Sequence, residues 1–179
     1  MTKEEQIDNE KIANLAMKAY HEKKFLEAGS LFGQAAEGFL EDGDPLRSAE
    51  LKNNQSVALL QAGNPQESLQ AALGTDKVFF RADDKKRQAM ALANIGAAQA
   101  ELGQKEAAIK AYEESSLILK ALGESDIRSD VQRSLSILRV KKREFADAVI
   151  EMQDGLMDIE KPTLKQRILK KLLFMRLWK

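Results

Sequence analysis

Apolar positions along this chain fall at spacings of three and four, and no stretch alternates apolar with polar over strand length. The run from Ala89 to Leu122, AMALANIGAAQAELGQKEAAIKAYEESSLILKAL, reads as two amphipathic helices folded back on each other, with a break at Gly103-Gln104. Aligned on Gly96, the pattern returns every 40 residues without a gap. One triplet runs Asn14-Leu15-Ala16, Asn54-Gln55-Ser56, Asn94-Ile95-Gly96 and Ser134-Leu135-Ser136, and its third member is always small. A second small column is Ala28, Ser68, Ala108 and Ala148, followed four residues later by Phe32, Ala72, Tyr112 and Met152. Such self-similarity is the mark of a repeat architecture.

The columns make sense on a helical hairpin. A small residue on the first helix (A) lets the second (B) approach closely, and the small residue on B returns the contact. Leu15, Ile95, Leu135, Phe32 and Tyr112 then fill the layer between neighbouring hairpins. Breaks are expected inside hairpins at Lys23-Lys24, Gly63-Asn64-Pro65, Gly103-Gln104 and Arg143-Glu144. Between hairpins they are expected at Gly43-Asp44-Pro45, Asp83-Asp84 and Gly123-Glu124-Ser125-Asp126. These supply glycine stops, capping oxygens and a proline for the first helical position. The pattern predicts helices near 3–22, 25–41, 45–62, 65–81, 85–102, 105–121, 126–142 and 145–158, with a ninth opened by Pro162.

Ala, Leu, Glu, Lys and Gln dominate, which reinforces an all-α reading. There is no cysteine, so disulfides and thiolate sites are excluded and a reducing compartment fits; a cytoplasmic location is the expectation. The charged start MTKEEQIDNE lacks the apolar core of a secretory signal, and the longest apolar run is too short to span a bilayer. Net charge is zero but uneven: residues 161–179 carry seven Lys or Arg and no acid, leaving 21 basic against 28 acidic residues in 1–160. The ninth helix is expected to cap the array. A rival reading has Leu164, Ile168, Leu172 and Met175, set against Lys165, Lys170 and Lys171, lying on an anionic membrane or another protein.

Little here suggests catalysis. His21 is the single histidine, with Tyr20, Glu22 and Lys23 beside it and no nucleophile in view. Glu41-Asp42-Gly43-Asp44 lacks calcium-loop spacing and reads as a helix end and cap. No Gly-Lys-Ser/Thr phosphate loop occurs. An acidic body with few aromatics to stack bases argues against nucleic-acid binding. The expectation is a non-enzyme without metal or cofactor.

At Asn94, Ile95, Gly96, Gly103, Ala108 and Tyr112 the chain resembles the tetratricopeptide repeat family, and the 40-residue period resembles its long-repeat subtype with Gly-Asp linkers. That subtype occurs in spindle-orientation adaptors, kinesin light chains and several bacterial regulators. The resemblance implies a right-handed α-solenoid of four hairpins, near 9–42, 49–82, 89–122 and 129–160, with 161–179 as a basic amphipathic cap. Gln55, Ala72 and Gly155 depart from the family pattern in the second and fourth hairpins.

It also implies a concave wall built from the A helices. Matched residue by residue, the first two hairpins would give Ala13, Met17, Tyr20, Asn53, Val57 and Leu60. The last two would give Ala93, Ala97, Ala100, Arg133, Ile137 and Val140. A small apolar floor of this kind favours a docked helix or an extended apolar segment. Asn14, Asn54 and Asn94 have two readings: amides that bond neighbouring backbone and fix the stacking, or a ladder that grips a peptide main chain. The carboxylate clamp of chaperone-binding members maps to Ala13, Met17, Asn54, Met90 and Asn94, where only Asn54 keeps a clamp residue, so that activity is disfavoured.

The expected role is therefore an adaptor or scaffold that binds a protein or peptide in its concave groove. The alternatives are an assembly factor shielding an apolar client segment, and the sensor portion of a bacterial regulator.

Overall fold

The computed structural model describes residues 9–141, 145–157, 159 and 161–176, with side chains described at 9–140, 150–157, 159 and 161–171. Among them run ten α-helices. They are α1 (Asn9–His21), α2 (Phe25–Glu41), α3 (Pro45–Gln61), α4 (Pro65–Ala72) and α5 (Thr75–Arg81). Then follow α6 (Lys85–Glu101), α7 (Lys105–Leu122), α8 (Ser125–Lys141), α9 (Phe145–Met157) and α10 (Leu164–Arg176). The A helices are α1, α3, α6 and α8; the B helices are α2, the pair α4 and α5, α7 and α9. The chain is an all-α solenoid. The expected break at Arg143-Glu144, the side chain of Ala148 and Trp178 lie outside the described residues.

The interval is written into the backbone. Lys23 (φ 61°), Gly43 (80°), Gly63 (81°), Asp83 (55°), Gly103 (75°) and Gly123 (72°) are left-handed, one every 20 residues. Each lets the next residue's N–H reach back five residues, as in Asp44 to the Phe39 carbonyl at 2.8 Å and Asp84 to that of Phe79 at 2.9 Å. This closes the helix with its last carbonyls satisfied. Asp44 and Asp84 then open α3 and α6, their Oδ1 atoms accepting from the N–H groups of Arg47 and Arg87 at 2.9 Å.

Within each hairpin the small columns meet. Ala16 and Ala28 are fully buried between α1 and α2. Ser56 and Ser68 face each other with their Oγ atoms 3.0 Å apart. A Cβ on Gly96 would lie 3.1 Å from the Tyr112 ring, so that position has little room for anything larger. Ala108 is fully buried beside them.

A recurring joint ties hairpin to hairpin, and it was not evident from the apolar pattern. Arg47 lies over the Phe39 ring at 5.7 Å and donates to Glu10 of α1 at 2.6 Å. Forty residues on, Arg87 lies over Phe79 at 5.6 Å, pairs with Asp84 at 2.6 Å and with Glu50 of α3 at 3.2 Å. The backbone N–H and guanidinium of Arg87 hold the Asp84 carboxyl below its ordinary pKa. The third junction departs from this: Ile127 takes the arginine column, and Arg128 is buried instead. Its guanidinium reaches Ser116 Oγ at 3.3 Å and pairs with Asp154 of α9. Gln132 donates to the same Ser116 Oγ at 3.0 Å, and Arg139 joins Glu113 to Glu151. The fourth hairpin is thus attached through polar groups as well as through Val131, Leu135 and Leu138.

Two expectations need correction. The fourth helix, predicted unbroken over 65–81, is interrupted at Leu73-Gly74, where Gly74 has φ 86°. Thr75 restarts it with a buried hydroxyl that donates toward the Ala72 carbonyl at 2.7 Å and Asn53 Oδ1 at 3.1 Å. Helix α10 rests mainly on α9, but not through its apolar stripe: Leu164 is 71 % and Ile168 53 % exposed, whereas Gln166 and Lys170 are half-buried. Leu164 and Ile168 of that stripe thus lie open, and the side chains of Leu172 and Met175 lie outside the described residues.

Because Arg128 serves α7 and α9 together, Arg128→Ala should cost about 2–3 kcal/mol in chemical denaturation, as for loss of hydrogen bonds to a buried charged group. Arg133→Ala on the exposed side of α8 should stay within about 0.5 kcal/mol. Amide exchange should quicken first in α9; equal loss of protection throughout would contradict a locally attached fourth hairpin.

Candidate functional site

The A helices touch one another directly, α3 with α6 and α6 with α8, while successive B helices are separated by the A helix between them. The A-helix side is therefore the inner side of the array. There a cavity of about 420 Å³ opens across the second, third and fourth hairpins. Its apolar lining is Leu60 of α3, Ala97 and Ala100 of α6, and Ile137 and Leu138 of α8. Pro65, at the first turn of α4, closes one side.

Helical spacing explains the lining. Ala97 and Glu101 lie four residues apart on α6, and Ser134, Ile137 and Leu138 share one face of α8. The alanines keep the floor low and the larger Leu60 and Ile137 stand at its edges. The lining is about as polar as it is apolar, with the Tyr112 hydroxyl, Ser134, Glu101 and Gln61 among its polar side chains. Tyr112 hydrogen-bonds to Ser134, and burial pushes its phenol above the ordinary value of 10.0 despite that bond, with the Glu101 charge adding in the same direction.

Of the residues expected on the wall, Leu60, Ala97, Ala100 and Ile137 come together around this cavity. Val57, Ala93 and Tyr20 are half-buried, Tyr20 with its ring edge-on to Phe25 at 5.5 Å. Met17 and Val140 are exposed, and Arg133 is exposed and pairs with Asp130 at 3.1 Å. Two expectations fail for packing reasons. Ala13 is buried in the first hairpin's core, and Asn53 is turned inward to accept from Thr75, so neither presents its side chain to a ligand. The proposed asparagine ladder is split: Asn14 is exposed, Asn54 and Asn94 are half-buried, and no side-chain hydrogen bond fixes the three to neighbouring backbone among the described residues.

Tyr112, Glu101, Ser134 and Pro65 were missed as site residues. Tyr112 and Ser134 were visible only as repeat columns, while Glu101 stood one residue past a predicted wall position. Elsewhere His21 is exposed, and no cluster of three or more His, Cys, Asp or Glu suited to a metal occurs among the described residues. No described helix is long and apolar enough to cross a membrane.

Tyr112 gives the site a pH signature. A proton held more tightly in the folded state stabilises it below pH 10 and ceases to do so as pH rises through the elevated folded value. The thermal midpoint should therefore fall above about pH 10, and Tyr112→Phe should flatten that fall. A fall of equal depth in the variant would contradict the assignment.

No family model matches the chain, and no curated protein matches it. Solved structures do. The apo form of RapI superposes with a TM-score of 0.79 at 17 % identity, covering 93 % of this chain and 48 % of that one. BtubC (BKLC) from P. vanneervenii gives a TM-score of 0.75 at 17 % identity, covering 87 % of this chain and 66 % of that one. The chain thus spans about half of RapI and just under two thirds of BtubC. At this identity the likeness concerns the fold: a helical-repeat array shared across proteins of different length.

Proposed function

We propose that the protein is a non-enzymatic adaptor of the tetratricopeptide type, which binds an apolar helix or extended segment of a protein partner across α3, α6 and α8. The observation that carries the proposal is the cavity itself: three consecutive A helices contribute Leu60, Ala97, Ala100 and Ile137 to one open concave surface that also carries polar groups. Isolated exposed apolar residues are ordinary on a protein surface, whereas a concave group with a few convergent polar atoms is the usual form of a binding site. The helical-repeat likeness to RapI and BtubC supports the architecture on which this reading rests. The 40-residue columns support the family assignment, with a cytoplasmic setting consistent with the cysteine-free sequence.

The test is affinity capture with wild-type and Ala97→Glu proteins side by side, each checked for helicity. Ala97 sits on the cavity floor, so the larger charged side chain fills the trough without entering the hairpin core. Captured partners should bind the variant at least about tenfold more weakly, a loss of about 1.4 kcal/mol. Unchanged capture would remove the trough as the binding surface.

A further inference from the structure

We infer that the trough selects segments that carry a lysine or arginine beside their apolar residues, and that Glu101 is the selecting group. The inference rests on the trough being the binding surface. Glu101 closes α6 and lines the same cavity as Ala97, Ala100 and Ile137. At the joints between hairpins Glu10 and Glu50 meet Arg47, Asp84 meets Arg87, and Glu124 meets Lys86, whereas Glu101 stands at the turn inside the third hairpin. Glu101 has no cationic partner among the described residues. It is exposed at the rim, and its charge is felt at the Tyr112 phenol on the cavity floor.

The remaining polar lining is uncharged among the described residues: the Ser134 hydroxyl donates to the Asp130 carbonyl at 3.2 Å and bonds the Tyr112 phenol, and Gln61 is an amide. Among the described residues, the lining of this trough carries one formal charge, and it is negative. An apolar segment that also carries a cation gains a partner there, whereas one carrying a carboxylate is repelled by Glu101. Charge at a rim acts mainly through such discrimination.

The probe is a displayed library of random 12-residue peptides, selected separately on wild type, Glu101→Gln and Glu101→Lys; the exposed position leaves folding intact, verified by circular dichroism. Wild type should enrich peptides that combine Leu, Ile, Val or Phe with Lys or Arg. Glu101→Gln should lose the basic enrichment and Glu101→Lys should replace it with Asp or Glu. A synthetic wild-type-selected peptide should bind Glu101→Gln about three- to tenfold more weakly, and the difference should shrink in high salt. Basic enrichment that survives Glu101→Gln, or trough-dependent peptides with no basic enrichment, would overturn the role of Glu101 and leave the trough standing. Selected peptides that bind Ala97→Glu undiminished, or no selection at all, would overturn the trough and this inference with it.

Discussion

Everything in this array depends on how closely the two helices of a hairpin can approach. Ala16 against Ala28, Ser56 against Ser68, and Gly96 beside Tyr112 put the least side-chain volume where the helix axes come nearest. With the axes close, the bulky residues Phe32, Ile95 and Leu135 are placed in the layer between hairpins, where a neighbouring hairpin covers them. No hairpin completes its own core. On the inner side Ala97 and Ala100 stand between the larger Leu60 and Ile137, and a low floor between larger residues is a trough.

The joints add direction to that packing. At the first two junctions an arginine laid over an aromatic of the B helix, with its backbone N–H on the capping aspartate and its guanidinium on the preceding A helix, fixes where the new hairpin begins. Exposed ion pairs of this kind contribute modestly to stability, but three partners converging on one guanidinium specify geometry. At the third junction the arginine moves one place along the chain and becomes buried, and the neighbouring hairpin is held by Ser116, Gln132 and Asp154. A partly buried polar interface is strong when every group is satisfied and weak when one is lost. The fourth hairpin contributes Ser134 and Ile137 to the trough, so its attachment and the site are linked.

Much of this was legible in the sequence, because the features that set it are local and periodic. The 40-residue columns, the glycine and aspartate stops and the helix lengths follow from backbone and propensity, and the observed helices start at the expected interval. The break at Leu73-Gly74 was not legible: a glycine inside a helical pattern can be tolerated, as Gly29, Gly33 and Gly38 are in α2, and the contact that marks the restart is Thr75 with Asn53, 22 residues away. The same contact removed Asn53 from the wall. Arg128 was hidden because a buried arginine looks like a surface one until its partners are placed. Leu164 and Ile168 of α10 do not cover α9 because the half-buried Gln166 and Lys170, which mark the covered side, lie away from them. The trough was half legible: the spacing placed Leu60, Ala97 and Ile137, but only the fold brought Tyr112 and Pro65 of the B helices into the same cavity.

The central claim is that ligands enter on the A-helix side of the array. It is tested most directly by amide chemical-shift mapping of the isotope-labelled chain titrated with a bound apolar peptide. The account predicts that shifts concentrate at Leu60, Ala97, Ala100 and Ile137 and fade toward the B helices. Shifts gathered instead on the outer face, at Leu26, Gln70 and Leu117, would contradict it.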